Sequence, residues 1–435
     1  MAIVTPSTST TATAPESSSG SYGAPLAVVT TLFFMWGFLT CLNDILVPHL
    51  KPIFDLNYTR IMLIQSAFFG AYFLFSIPSA KIIDWIGYQR SMVVGLLTMG
   101  AGAFLFVPAA SVPSYPLFLM ALIVLAAGIT CLQVAANPYV TVLGKPQTAS
   151  SRLNLTQAFN SLGTFLAPFF GGLLILSAAP KSMDEIRALA PDALQAYRLH
   201  EAATVKTPYV GLGIALVLLA IAIGSFNLPK IPHAQHQIGE KVNDSIWNHP
   251  NLIFGAIGIF VYVGAEVSIG SFLVNYFSQP EIGGLTEKVA ASFVAFYWGG
   301  AMVGRFIGSG LLQKMKTGHL LGICAVCAAA LVGISMLTTG HFAMYSIILV
   351  GFFNSIMFPS IFTLGVAELG PLTGDGSGVM IMAIVGGALI PLAQGAIADK
   401  IGIHHAFFLP VICYLYILFF ALSGSKPNSE RHART

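Results

Sequence analysis

Two carboxylic acids lie inside long apolar runs. Asp44 falls in FFMWGFLTCLNDILVP (33–48), and Glu266 in GIFVYVGAEVSIGSFLVNYF (258–277). Placing an ionisable group at the middle of a membrane span costs about 2.5–3.5 kcal/mol, so each is a functional residue by default. The structural alternative is a carboxyl kept neutral by burial or by a hydrogen bond. Trp36, Thr40 and Asp44 recur at i, i+4 and i+8 and share one helix face, and Tyr262 lies one turn before Glu266. A carboxyl desolvated in a closed cavity holds a proton more tightly than one in water, so it can load and release that proton as access changes. Asp44 and Glu266 are therefore read as proton-coupling groups.

Amides form stripes on other apolar runs. Gln133 and Asn137 are spaced i, i+4; Asn154, Gln157 and Ser161 are spaced i, i+3, i+7, with Asn160 beside them; Gln65, Asn275, Asn354 and Gln394 stand on further runs. One such amide contributes about 0.6 kcal/mol as an interhelical hydrogen bond. Several converging on one space suit a neutral polyhydroxylated molecule, because an amide both donates to and accepts from a hydroxyl. An anionic substrate would want a mid-span Arg or Lys, and none is read there. The candidate substrate set is Asn43, Gln133, Asn137, Gln157, Asn160, Tyr262, Asn275 and Asn354. Asp84-x-x-Gly87-x-x-Arg90, together with Arg305, reads as a set of loop clamps that hold one conformation. Gly300, Gly304 and Gly308 read as a close-packing face.

Several chemistries are excluded or given little weight. The chain has no G-x-x-x-x-G-K-[ST] and hence no P-loop for ATP drive. All five cysteines lie in apolar runs, and the Cys324-x-x-Cys327 pair has no second pair to complete a metal or redox site. His404 and His405 read as an interfacial pair. No enzyme constellation, metal site or cofactor is expected.

The elements that must position these groups follow from composition. Of 435 residues, 56% are hydrophobic and 9% charged, with a net charge of +3 and a mean hydropathy of +0.80. A soluble domain carries about 25% charged residues, so an ordinary globular enzyme is excluded, and the absence of basic runs excludes a nucleic-acid partner. Twelve apolar runs are long enough to span a bilayer, near 25–48, 61–84, 90–110, 115–143, 152–178, 207–228, 250–277, 288–311, 318–338, 341–368, 377–399 and 404–424. The expected fold is all-α and integral to the membrane.

The chain is divided into a disordered tail (1–24), a first six-helix bundle (25–228), a linker (229–248), a second bundle (249–424) and a short tail (425–435). Pro138–Gly144 (PYVTVLG) matches Pro359–Gly365 (PSIFTLG), and Gly163–Pro168 (GTFLAP) matches Gly386–Pro391 (GGALIP), at nearly one offset. The two bundles are accordingly expected to be pseudo-symmetric, with a site between them. Twelve Lys and Arg residues fall on the linker side of the runs and eight on the other, where four lie in the long 179–206 loop among acids. The positive-inside rule then puts both termini in the cytoplasm.

The chain resembles the major facilitator superfamily, and within it the fucose permease branch. The resemblance is carried by LNDILVPHL (42–50), LIQSAFFGAYFLFSIPSA (63–80), AANPYVTVLG (135–144), SRLNLTQAFNSLGT (151–164), YVGAEVSIGSFL (262–273), FPSIFTLGVAELG (358–370) and AIVGGALIPLAQGAIAD (383–399). It implies a bacterial inner-membrane importer of a hexose-type sugar, driven by protons through alternating access. A monomer in the lipid bilayer is the expected working form. By resemblance, Asp44 matches a proton-linked aspartate, and Gln157 and Asn160 match sugar-contacting residues. Gln133 stands where that branch has a glutamate, Cys41 where it has an asparagine, and Glu266 where a glutamine is expected. The second membrane carboxyl has thus moved to a different span. LQVAANPYV (132–140) is similar to the glucose/galactose and N-acetylglucosamine members. Sodium coupling, with a carboxylate beside unwound carbonyls near Pro138, and a non-transporting sugar sensor are the alternatives.

Overall fold

A computed structural model describes residues 22–54, 58–112, 114–174, 185, 188–231 and 244–427. Most of the expected N-terminal tail, the middle of the linker and the end of the C-terminal tail lie outside these residues. The described residues form α1 (Gly23–Phe54), α2 (Tyr58–Ser111), α3 (Tyr115–Val142), α4 (Ala149–Leu174), α5 (Pro191–Thr204), α6 (Lys206–Ser225), α7 (Pro250–Phe277) and α8 (Glu287–Leu311). They continue as α9 (Thr317–Leu337), α10 (Gly340–Asn354), α11 (Met357–Gly365), α12 (Thr373–Met382), α13 (Gly386–Ile401), α14 (Ile403–Ala406) and α15 (Phe408–Phe419). Among the described residues, ten stretches are long and apolar enough to cross a membrane. Many large apolar side chains on them face outward, such as Leu74, Leu218, Phe296 and Leu392, as helices bathed in lipid require.

One of the ten stretches, Ala67–Ser111, holds 45 residues, roughly twice what a bilayer core accommodates. The chain solves this at Gly87, whose φ of 81° and ψ of 168° break the helix. Only glycine adopts that backbone without strain, so the glycine of the D-x-x-G-x-x-R motif is the turn itself. In the second part, each of two long apolar runs is interrupted: α10 and α11 by Ser355–Ile356, and α12 and α13 by a short 3₁₀ turn at Ala383–Val385. The 179–206 segment, expected to be loop, contains the helix α5. Its PDALQAYRLHEAAT sequence is rich in helix formers, with Pro191 at the first position and Asp192 in the first turn, which suits a helix start.

Helices before the linker pack largely among themselves, α1 on α4 and α2 on α3 and α6; helices after it do likewise, α8 and α9 on α10, and α7 on α11, α13 and α15. Glycines set the closest approaches. A Cβ on Gly37 of α1 would lie 2.2 Å from the Asn160 carbonyl oxygen of α4, and one on Gly163 of α4 would lie 2.3 Å from the Phe34 carbonyl oxygen. On α8, Gly304 and Gly308 press against Phe352, Ser355 and Ile356, in keeping with the close-packing face read from the sequence.

Two seams join the parts, α2 with α12 and α13, and α4 with α8. Their polar bonds gather towards the end of the molecule that carries residues 229–231 and 244–248, here the linker end. Lys81 Nζ lies 2.8 Å from Asp375 Oδ1, and Ser377 Oγ donates to the Val134 carbonyl at 2.8 Å. Ser150 and Thr363 share a 2.6 Å hydroxyl bond, and Ser151 Oγ donates to the Ser309 carbonyl at 2.7 Å. The molecule is held shut at this end.

Candidate functional site

Beyond the closed end, a cavity of about 790 Å³ lies between the two parts and is lined from α1, α2, α3, α4, α7 and α8. It extends from Glu266 and Arg305 towards Tyr115 and Phe118 at the far end. Its walls are largely apolar and aromatic, with Phe68, Phe69, Phe165 and Trp298 among them. Its polar groups are Thr40, Asn160, Ser161, Thr164, Ser271, Glu266 and Arg305, alongside the Cys41 thiol and the Tyr115 phenol. Among the described residues, Glu266 and Arg305 are its only formally charged lining groups.

The floor is built around these two. Arg305 Nη2 stands 4.0 Å from Glu266 Oε1, and both side chains are nearly enclosed. Tyr262, one turn before Glu266, donates to Oε1 at 2.7 Å and lies 3.1 Å from the Asn354 carbonyl oxygen. Tyr297 donates to the Glu266 carbonyl at 3.4 Å and accepts from Asn354 Nδ2 at 2.8 Å. Arg305 Nη1 donates to Ser161 Oγ on α4, and Nε donates to the Ser355 carbonyl at 3.3 Å. Asn154 Nδ2 of α4 donates to the Arg305 carbonyl at 2.7 Å. The arginine is thus tied to the opposite part of the molecule through both its side chain and its backbone.

This placement corrects two expectations. The sequence reading puts Arg305 with the loop clamps and finds no mid-span arginine; the structure puts its guanidinium on the cavity wall. Helical side chains lean towards the N-terminus of their helix. Because α8 runs from the far end to the linker end, an arginine near its last turns reaches back into the cavity. The other clamp residues stay at the linker end. Asp84 lies 3.5 Å from Lys81 and beside Gly374 in the first turn of α12, where a carboxylate is favoured by the helix dipole. Gly87 makes the turn, and Arg90 is exposed.

The remaining expected substrate residues separate into groups. Asn160 lines the cavity while donating to the Phe33 carbonyl at 2.9 Å. Gln133, Asn137 and Gln157 are buried behind the lining: Gln133 Nε2 donates to the Tyr72 hydroxyl at 2.8 Å, and Gln157 Nε2 to Asn137 Oδ1 at 3.4 Å. Asn354 is fully buried and supports Tyr297 and Tyr262. Asn275 is exposed, one turn beyond the cavity-lining Ser271. The α1 backbone carries residue 44 one turn beyond the lining residue Thr40, but the side chains of Asn43 and Asp44, like that of Gln65, lie outside the described residues. Residues that the sequence reading passed over include Trp298, Tyr72 and Tyr297. An aromatic beside the glycines of α8 was the available signal for Trp298.

A profile of the Major Facilitator Superfamily matches residues 27–384. The chain belongs to this superfamily. It is 54% identical over 410 residues to the glucose/galactose transporter of Brucella abortus, covering 94% of this chain and 96% of that protein. It is 36% identical over 415 residues to the L-fucose-proton symporter of Escherichia coli, covering 94% of each. The fold matches a crystal structure of the Escherichia coli fucose:proton symporter with a TM-score of 0.85 at 34% identity, covering 93% of this chain and 100% of that one. A structure of the same transporter in the outward conformation also matches at a TM-score of 0.85, over 93% and 99% of the two chains. The protein is therefore a multi-pass membrane transporter rather than an enzyme.

Proposed function

We infer that this protein imports a neutral hexose-type sugar together with a proton, by alternating access of one central site. The observation that carries this reading is the cavity, whose volume lies in the range of small-molecule sites. Its two charges oppose one another, leaving hydroxyls, an amide and aromatic faces to meet a substrate. Hydroxyl and amide groups pair with sugar hydroxyls, and Trp298, Phe68 and Phe69 offer surfaces for the apolar face of a pyranose. The relatedness to glucose/galactose and fucose transporters supports the same class.

In this reading the chain has twelve spans in two six-helix bundles, 25–228 and 249–424, joined by the 229–248 linker. α2 contributes two spans on either side of Gly87, and α4 supplies a further one. Both termini and the linker face the cytoplasm of a bacterial inner membrane, so the state described here is open to the outside. Asp44 and Glu266 are the proton-coupling carboxyls. Asn160 meets sugar directly, while Gln133, Asn137 and Gln157 reach it when the buried lining rearranges. The protein acts as a monomer with no cofactor besides its coupling ion.

Replacing Asp44 with Asn, or Glu266 with Gln, separates the coupling step from binding. The expected outcome is loss of proton-driven accumulation with sugar exchange retained, measured by uptake and counterflow in proteoliposomes. Full accumulation by both variants would contradict the coupling assignment.

A further inference from the structure

Arg305 is shared between two partners that belong to opposite parts of the molecule. Its carboxylate partner, Glu266, stands on α7 of its own part, and its hydroxyl partner, Ser161, stands on α4 of the other. The same residue's carbonyl accepts from Asn154, also on α4. One turn further along α8, a Cβ on Gly308 would lie 3.2 Å from Asn154 Nδ2 and 2.2 Å from Ile356. Here α8 is wedged between α4 and the α10–α11 break, so a change at Arg305 has little slack in which to be absorbed.

The geometry points to Arg305 as a latch through which the charge of Glu266 controls parting of the two halves at the cavity floor, an inference that rests on the proton-coupled reading above. With Glu266 ionised, the guanidinium is neutralised and remains in place, bridging to Ser161. With Glu266 protonated, a nearly enclosed guanidinium loses its counter-charge. Such a cation is costly to keep dry, and it regains water as α8 moves off α4. The ionised pair therefore favours the state closed at the linker end, to which a carrier that has released its proton returns, and protonation of Glu266 shifts the balance towards opening there. Among the described residues, the other titratable groups facing Glu266 are Tyr262 on its own helix, Tyr297 on α8 and Tyr414 on α15. All three are phenols that stay neutral near neutral pH, so Arg305 is the described cation that responds to the carboxylate.

The test reads access at the linker end with no sugar present. Ser377 is fully buried in the α12 seam, and a Ser377→Cys background is nearly isosteric. The rate at which a membrane-impermeant maleimide, loaded on the linker side of proteoliposomes, alkylates this position reports how often the floor opens. The five native cysteines are replaced by Ala or Ser in the same background. Glu266→Gln, an isosteric stand-in for the protonated acid, is expected to raise the alkylation rate on the order of fivefold or more at neutral pH. Ser161→Ala, which removes the hydroxyl that accepts from Arg305 across the seam together with its bond to the Gln157 carbonyl in its own helix, is expected to raise it in the same direction and to flatten its dependence on pH. Unchanged or slower alkylation in Glu266→Gln would overturn the latch, and so would an unchanged rate and pH profile in Ser161→Ala. Because the readout uses neither sugar nor a gradient, a failed latch leaves the uptake experiments intact, and a wrong substrate class leaves this result intact.

Discussion

Tyr262 stands one helical turn before Glu266 and donates a 2.7 Å hydrogen bond to its carboxylate, so the acid on the cavity floor is aimed by its own helix. The phenol is itself fixed from behind, where the Asn354 carbonyl lies 3.1 Å away and the Asn354 amide holds Tyr297.

Removing that donor has a definite consequence. Tyr262→Phe keeps the ring in its buried site but leaves Glu266 short of one hydrogen bond, a loss of about 1–3 kcal/mol for an enclosed polar group. Reduced thermal stability in detergent together with a severalfold fall in accumulation is the expected result. Unaltered values for both would mean that Glu266 finds its support elsewhere.

A steric prediction concerns α1 and α4. Gly37→Ala places a methyl group against the Asn160 backbone, where no flexible side chain can yield, and overpacking of this kind costs about 1–3 kcal/mol. The change also pushes Asn160 off the cavity wall, so the apparent KM for sugar is expected to rise as the melting temperature falls. Gly333→Ala, on α9 with open space around it, serves as the control. There the smaller backbone entropy loss favours alanine by roughly 0.5–1 kcal/mol.

The linker-end pair offers a weaker effect of known sign. Lys81 is half exposed and Asp375 about one-quarter exposed, so their ion pair contributes at most about 1 kcal/mol. Asp375→Asn is expected to leave the melting temperature nearly unchanged while increasing alkylation of a linker-end cysteine by a few-fold. The increase should shrink in high salt, which already screens the pair in the parent protein. An effect as large at high salt as at low salt would count against an electrostatic clamp.

Trp298 separates binding from folding. Its ring lines the cavity and is 41% exposed, so truncation removes little packing. Trp298→Ala is expected to raise the apparent KM roughly tenfold, in the range set by loss of an aromatic contact surface, with the melting temperature barely moved. Trp298→Phe should restore most of the affinity. Equal KM values for all three proteins would remove Trp298 from the site.

Helix positions were legible because the apolar runs are long and their punctuation is strong; the Gly87 turn lies between the runs expected at 61–84 and 90–110. The breaks at Ser355–Ile356 and Ala383–Val385 were not legible, since both segments remain apolar through the interruption. Periodicity placed Gln157 on the same face as Ser161, but a face does not reveal whether it meets a void or another helix. Gln157 meets Asn137, whereas Ser161 meets the cavity. Arg305 was misplaced for a different reason. Its position in the chain lies near the end of a span, yet its side chain extends back along the helix towards the membrane centre.

The most direct test of sugar:proton symport is uptake of labelled glucose, galactose, fucose and N-acetylglucosamine by proteoliposomes of the purified protein, with and without an inward proton gradient and with sodium absent. Accumulation of at least one sugar above equilibrium, only when the gradient is present, is the expected result. No accumulation of any of the four without sodium, followed by accumulation once sodium is added, would contradict proton coupling.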